Sequence, residues 1–92
     1  MNLSGKNVIL TGANSGIGLE MLKLLLSKGS RVLAADLRTD AVEALGNANA
    51  LSFVCDISSK EGVDLLFKKA REKLENVDIF IANAGFAYYE II

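Results

Sequence analysis

Apolar residues along this chain fall into two alternating rhythms. Short, nearly unbroken runs occur at Val8-Ile9-Leu10, Val32-Leu33-Ala34-Ala35, Leu51 to Cys55 and Ile79-Phe80-Ile81. Runs of this length, bounded by turn residues, read as strands, the first of them buried, and they predict strands over Asn7 to Thr11, Arg31 to Asp36, Leu51 to Cys55 and Asp78 to Ala82. Between them the apolar residues return at helical spacing. The order is therefore strand, helix, strand, helix, strand, helix, strand, the pattern of parallel βαβ units in an α/β fold.

The first helix is expected from about Ser15 to Lys28, with Ile17, Met21, Leu22, Leu24, Leu25 and Leu26 as its apolar face and Gly29 as its stop. A short second helix is expected from Asp40 to Leu45, with Asp40 and Glu43 as a capping box and Gly46 as terminator. Ser58 and Glu61 give the same signal for the third helix, where Val63, Leu66, Phe67, Ala70 and Leu74 form one stripe. The opposite face carries Asp64, Lys68, Lys69, Arg71, Glu72 and Lys73 and reads as solvated, with Asp64 and Lys68 as an i,i+4 pair. Proline is absent and no linker or longer repeat interrupts the alternation, so residues 1–92 are read as a single domain.

Composition narrows the chemistry. A formal charge of −1 lacks the basic stripe that nucleic acid or an anionic membrane would need, so neither is expected as a partner. With no histidine, His-based metal ligation and Ser-His-Asp catalysis drop out, and no metal is expected. The single cysteine, Cys55, has no partner for an internal disulfide and reads as a small buried hydrophobe. Together with the lack of a signal-like or membrane-length apolar segment, this leads to an expected cytoplasmic location.

The strongest chemical signal is Thr11-Gly12-Ala13-Asn14-Ser15-Gly16-Ile17-Gly18, between the first strand and the first helix. A pyrophosphate needs a sharply turning backbone, close approach and free N–H groups at the positive end of a helix. Gly12 allows the turn, Gly16 clears the space for phosphate, and Gly18 lets the helix pack close. Asp36 ends the second strand, 18 residues after Gly18, where a carboxylate can accept from adenosine ribose hydroxyls and repel a 2′-phosphate. A P-loop does not fit, because Leu19-Glu20 follows the last glycine. A methyltransferase-type glycine loop fits the glycine and aspartate signals taken alone and stays open on them.

The spacing of Gly12, Gly16 and Gly18 resembles the T-G-x-x-x-G-x-G motif of the short-chain dehydrogenase/reductase family, Asp56-Ile57 resembles its adenine-contacting acid, and Asn83-Ala84-Gly85 resembles its N-A-G motif. The resemblance runs from Lys6 to Gly85 and implies the N-terminal half of a Rossmann-type sheet, truncated at strand order 3-2-1-4 with helices on both faces. It implies that Gly12, Ser15, Gly16, Ile17 and Gly18 line the pyrophosphate, Asp36 and Leu37 the adenosine ribose, Asp56 and Ile57 the adenine, and Asn83, Ala84 and Gly85 the nicotinamide-side ribose. Members using the phosphorylated cofactor carry a basic residue at the positions of Ser15 or Leu37. With Asp36 in place, and despite nearby Arg38, NAD is expected over NADP.

The family's catalytic tyrosine, with a lysine four residues on, and its serine find no counterpart: Tyr88 is followed at that distance by Ile92, and Tyr89 lies nearer the end. No catalytic residue is assigned, and the 92-residue chain is expected to bind NAD without catalysis. An alternative is a non-enzymatic NAD-binding or oligomerising scaffold module. The fourth strand, Asp78 to Ala82, would form a sheet edge, so a homo-oligomer through that edge and the tail from Phe86 to Ile92 is expected.

Overall fold

The computed structural model describes residues 2–83. Four parallel strands, β1 (Asn7–Thr11), β2 (Arg31–Asp36), β3 (Ala50–Val54) and β4 (Ile79–Ile81), form one sheet in the order β3-β2-β1-β4. The helices are α1 (Gly16–Ser27), α2 (Asp40–Ala44) and α3 (Lys60–Leu74). Element order and strand order are those expected. The tail residues Phe86 to Ile92, including Tyr88 and Tyr89, lie outside the described residues.

Alternation along the central strands splits the core in two. Val8, Leu10, Val32 and Ala34 face α1 and α2 and pack with Leu22, Leu25 and Val42. Ile9, Leu33 and Ala35 face α3 and pack with Val63, Leu66, Ala70 and Leu74. Both faces of β1 and β2 are thus covered, which is why those strands are apolar without interruption. Phe67 of α3 stacks on Phe80 of β4 with ring centroids 5.4 Å apart.

Several local expectations need correction. On α1, Ile17 and Leu24 are exposed, at 74% and 55%, while Gly18, Leu22 and Leu25 meet the sheet. The leucine-rich stretch is apolar on more than one side, so its periodicity does not single out the buried face. The cap of α3 is Ser59, whose hydroxyl accepts from the Gly62 amide at 3.0 Å. Ser58 is instead committed to Asp56, donating from its amide at 2.9 Å and its hydroxyl at 2.5 Å to Oδ1. Asp40 is the first residue of α2 and not its cap; Thr39 holds that place and donates its hydroxyl to Glu43 Oε2 at 2.6 Å. Asp64 pairs with Lys60 at 3.1 Å, one turn earlier than Lys68.

Two asparagines fasten β4 to β1. At the start of the strands, Asn7 receives the Asp78 amide on its carbonyl at 2.8 Å and donates its own amide to Asp78 Oδ2 at 2.8 Å. Its side chain also donates to the Leu74 carbonyl at 2.9 Å, which accepts from the Asn76 amide as well, at the end of α3. At the other end, Asn83 donates its amide to the buried Thr11 hydroxyl at 3.1 Å and its side-chain Nδ2 to the Gly12 carbonyl at 3.2 Å.

Candidate functional site: a dinucleotide cradle

All four strands run the same way, so Thr11, Asp36, Val54 and Ile81 mark one edge of the sheet. Strand order reverses between β1 and β4, and in open α/β sheets ligands bind in the crevice beyond the strand ends at such a point. The glycine loop leaves β1 directly into that crevice.

Gly12 and Gly16 take φ of 67° and 56°, a region that side-chain-bearing residues rarely adopt. A Cβ on Gly16 would meet nothing within 4 Å, so the space over the helix start is clear. Ser15 stands at the cap position of α1 in extended conformation, yet its hydroxyl makes no hydrogen bond to the helix, and no acidic residue lies in the first turn. The partial positive charge of a three-turn helix is therefore left uncompensated beside an open cradle, a combination suited to an anion.

Gly18 has a different task. A Cβ there would lie 1.8 Å from the Gly12 carbonyl oxygen and 2.6 Å from Asn83 Nδ2. Its bare Cα lets the first turn of α1 press against the loop's own backbone and against the residue after β4. Gly12, Gly18 and Asn83 are in this way assembled into one contact.

Asp36 is tied to the loop. Its Oδ2 accepts from the Asn14 amide at 2.9 Å and its Oδ1 from the Leu37 amide at 2.7 Å. These bonds fix the carboxylate at the end of β2, beside the cradle. Ile17, in the first turn of α1, and Leu37, next after Asp36, carry exposed apolar side chains, 74% and 65% accessible.

Asp56 is fully exposed beyond β3, and its hydrogen bonds from Ser58, side chain then amide, hold its carboxyl below the usual carboxylate range. Ile57 goes the other way: its side chain is 8% exposed and belongs to the core under α3. Only its backbone is left to line a site. Burial first, and then the carboxylates of Asp56 and Asp36, push the Cys55 thiol up to about 11, so it stays protonated and unreactive near neutral pH. Of the N-A-G stretch, Asn83 is placed at the crevice, while Ala84 and Gly85 lie outside the described residues.

Sequence reasoning passed over three contributors. Thr11 anchors Asn83. Gly62 lets α3 sit on the Asp56 carbonyl, from which a Cβ would be 1.6 Å away. Asn14 caps α2, its Oδ1 accepting from the amides of Ala41 at 2.8 Å and Val42 at 3.2 Å. No sequence signal near α2 pointed to Asn14, which lies 27 residues before Ala41.

Among the described residues no group of three or more Cys, Asp and Glu side chains could hold a metal ion, and no helix is long and apolar enough to cross a membrane.

Comparison with known proteins agrees with this geometry. The sequence profile of the family described as short chain dehydrogenase matches residues 6–91. The chain is 36% identical to a 3-oxoacyl-[acyl-carrier-protein] reductase from Rickettsia prowazekii, covering 92% of this chain and 35% of that protein. It is 36% identical to the 7alpha-hydroxysteroid dehydrogenase of Escherichia coli K12, covering 92% of this chain and 36% of that one. Among solved structures, the fold superposes on a 3-ketoacyl-(acyl-carrier-protein) reductase from Brucella melitensis complexed with NADH, with TM-score 0.79 and 33% identity over 85% of this chain and 34% of that chain. It also superposes on a hydroxysteroid dehydrogenase from Escherichia coli, with TM-score 0.80 and 36% identity over 91% and 38%. The chain thus spans about a third of the length of these relatives. From the glycine cradle at the β1–α1 turn, the β3-β2-β1-β4 order and a profile match across nearly all its residues, the chain belongs to the short chain dehydrogenase family.

Proposed function

We propose that this chain forms the dinucleotide-binding portion of an oxidoreductase that moves hydride between a nicotinamide cofactor and an alcohol or carbonyl substrate, and that it takes NAD(H) over NADP(H). The observation that carries the reading is the Asp36 carboxylate, held by the Asn14 and Leu37 amides beside a glycine loop that opens onto an uncapped helix start. The residues present fit the cofactor: Gly16 leaves room where a side chain would intrude, and the α1 amides offer donors to a pyrophosphate. Asp36 would accept from the adenosine ribose hydroxyls and set a negative charge against a 2′-phosphate. Asp56 would lie toward the adenine, and Asn83, with Ala84 and Gly85, toward the second ribose. The bound cofactor would supply the hydride; this chain's residues bind and orient it, and no acid or base for the transfer is assigned among them.

Calorimetric titration of the chain with NADH and NADPH tests the reading. The expected result is tighter binding of NADH, and Asp36→Ala should weaken it by roughly 10–100-fold, the loss expected for charge-assisted hydrogen bonds. The variant should also narrow the gap to NADPH. Tighter binding of NADPH by the unmodified chain would reverse the cofactor assignment, and binding of neither would leave the family and fold alone standing.

A subsidiary reading concerns assembly. Within the described residues β4 is the last strand of the sheet, and Ile79, Phe80 and Ile81 are only half-buried. Half-buried apolar side chains on an outer strand suit a further contact surface, and we propose that a second copy of the chain packs there. Sedimentation of a stable monomer at micromolar concentration would remove this proposal.

A further inference from the structure

Asn14 occupies a position the glycine motif leaves unspecified, yet it joins three parts of the site. Its amide donates to Asp36 Oδ2 at 2.9 Å. Its side-chain Oδ1 accepts from the Ala41 and Val42 amides, and its Nδ2 donates to Asp40 Oδ1 at 3.1 Å. The other oxygen of Asp40 receives Arg38 Nη2 at 3.3 Å. A continuous line of hydrogen bonds thus runs from the glycine loop through Asn14 and Asp40 to the one guanidinium that follows Asp36 in the β2–α2 link.

We infer that Asn14 is a positioning residue for the adenosine-ribose subsite: its side chain pins the start of α2 and, through Asp40, keeps Arg38 engaged away from the Asp36 carboxylate, so that discrimination against a 2′-phosphate depends on Asn14 as well as on Asp36. This rests on the proposed dinucleotide site and adds to it a second determinant of selectivity.

The physical case begins with α2, which has five residues and cannot hold itself. Its cap residue, Thr39, bonds to Glu43 and gives no cap bond to the helix amides. Asn14 supplies that bond from across the loop. The Arg38–Asp40 pair is exposed, with side-chain accessibilities of 79% and 65%, and such pairs persist only while their geometry is held. The Asn14 amide group, bonding to one oxygen of Asp40, holds that carboxylate and is the first cause keeping its carboxyl below the ordinary range. Without the side chain, the segment from Leu37 to Asp40 loses its tether and Arg38 is freed. A freed guanidinium next to the ribose is a fork-shaped donor for phosphate.

The decisive measurement is calorimetric titration of the full chain and three variants with NADH and NADPH, alongside thermal melts. Asn14→Ala retains the backbone amide to Asp36, so any change in selectivity comes from the lost side chain. We expect it to reduce the NADPH-to-NADH ratio of Kd values about fivefold, the effect of about 1 kcal/mol, chiefly by tightening NADPH. Asp40→Asn keeps an acceptor for Asn14 but drops the charge that retains Arg38, and should move the ratio the same way. Adding Arg38→Ala to Asn14→Ala should restore the original ratio. A merely structural role would lower Tm and weaken both ligands together, leaving the ratio unchanged, and that result would overturn the inference. If Asn14→Ala does not fold, Asp40→Asn decides by the same criterion. An unmodified chain that binds NADH while the variants keep its ratio sinks this inference alone; one that binds neither dinucleotide sinks the proposed site with it.

Discussion

Gly18→Ala is expected to remove dinucleotide binding and to lower Tm by roughly 10–20 °C, the shift that a loss of about 3 kcal/mol produces in a domain of this size. The added methyl would lie 1.8 Å from the Gly12 oxygen, and backbone atoms cannot rotate away as a side chain can. Relief requires α1 to lift from the loop, which would separate Gly18 from Asn83, or the Gly12 carbonyl to swing aside, which would break its hydrogen bond from Asn83. Since a chain of this length holds in total only about 5–14 kcal/mol, the loss is a large fraction of its stability. A melt and a titration on the same preparation check it. A variant that melts within a few degrees of the parent and still binds NADH would show that the close contact is dispensable.

The companion variant, Gly62→Ala, separates packing from binding. Gly62 is the third residue of α3 and stands against the Asp56 carbonyl as Gly18, the third residue of α1, stands against that of Gly12. In each case the contact joins a residue just past a strand to one six positions later. A Cβ 1.6 Å from the Asp56 oxygen would push α3 outward and loosen the packing of Val63 and Leu66 on the sheet, with an expected cost of about 3 kcal/mol. The helix that opens the glycine cradle, α1, packs on the face of the sheet opposite to α3. The urea midpoint should therefore fall while the preference for NADH over NADPH survives at temperatures where the variant is folded. Loss of that preference without loss of stability would contradict this division of labour.

How much of this could be read from residues alone depended on the range of the interaction. Strands covered on both faces announce themselves as apolar runs, which is why β1 and β2 were expected with the bounds they have. The stripe on α3 was equally legible, because its polar face is strongly charged. On α1 the choice between Leu22 with Leu25 and Ile17 with Leu24 is made by where the sheet lies, and the sheet position follows from Gly18. Ser58 and Ser59 are adjacent cap candidates with the same chemistry; the Asx-type turn at Asp56 and the fit of Gly62 select the second. The cap of α2 comes from Asn14, 27 residues before Ala41, and no local window contains both. Within the candidate site, the backbone turn at Gly16, the close approach at Gly18 and the place of Asp36 at the end of β2 were legible because they depend on φ, size and position on a βαβ unit. The division between Asp56 at the surface and Ile57 in the core was not, since it depends on how the chain turns after β3.

The fastening of β4 has a mechanical consequence. Although it contributes only three residues, it is riveted at both ends, by Asn7 and Asp78 below and by Asn83, Thr11 and Gly12 above. A crevice between neighbouring strands could hinge open like the spine of a book. Here the two leaves are stitched at head and foot, so a guest lying across the reversal of strand order meets a single rigid wall, and whatever accommodation it needs must come from the loops above.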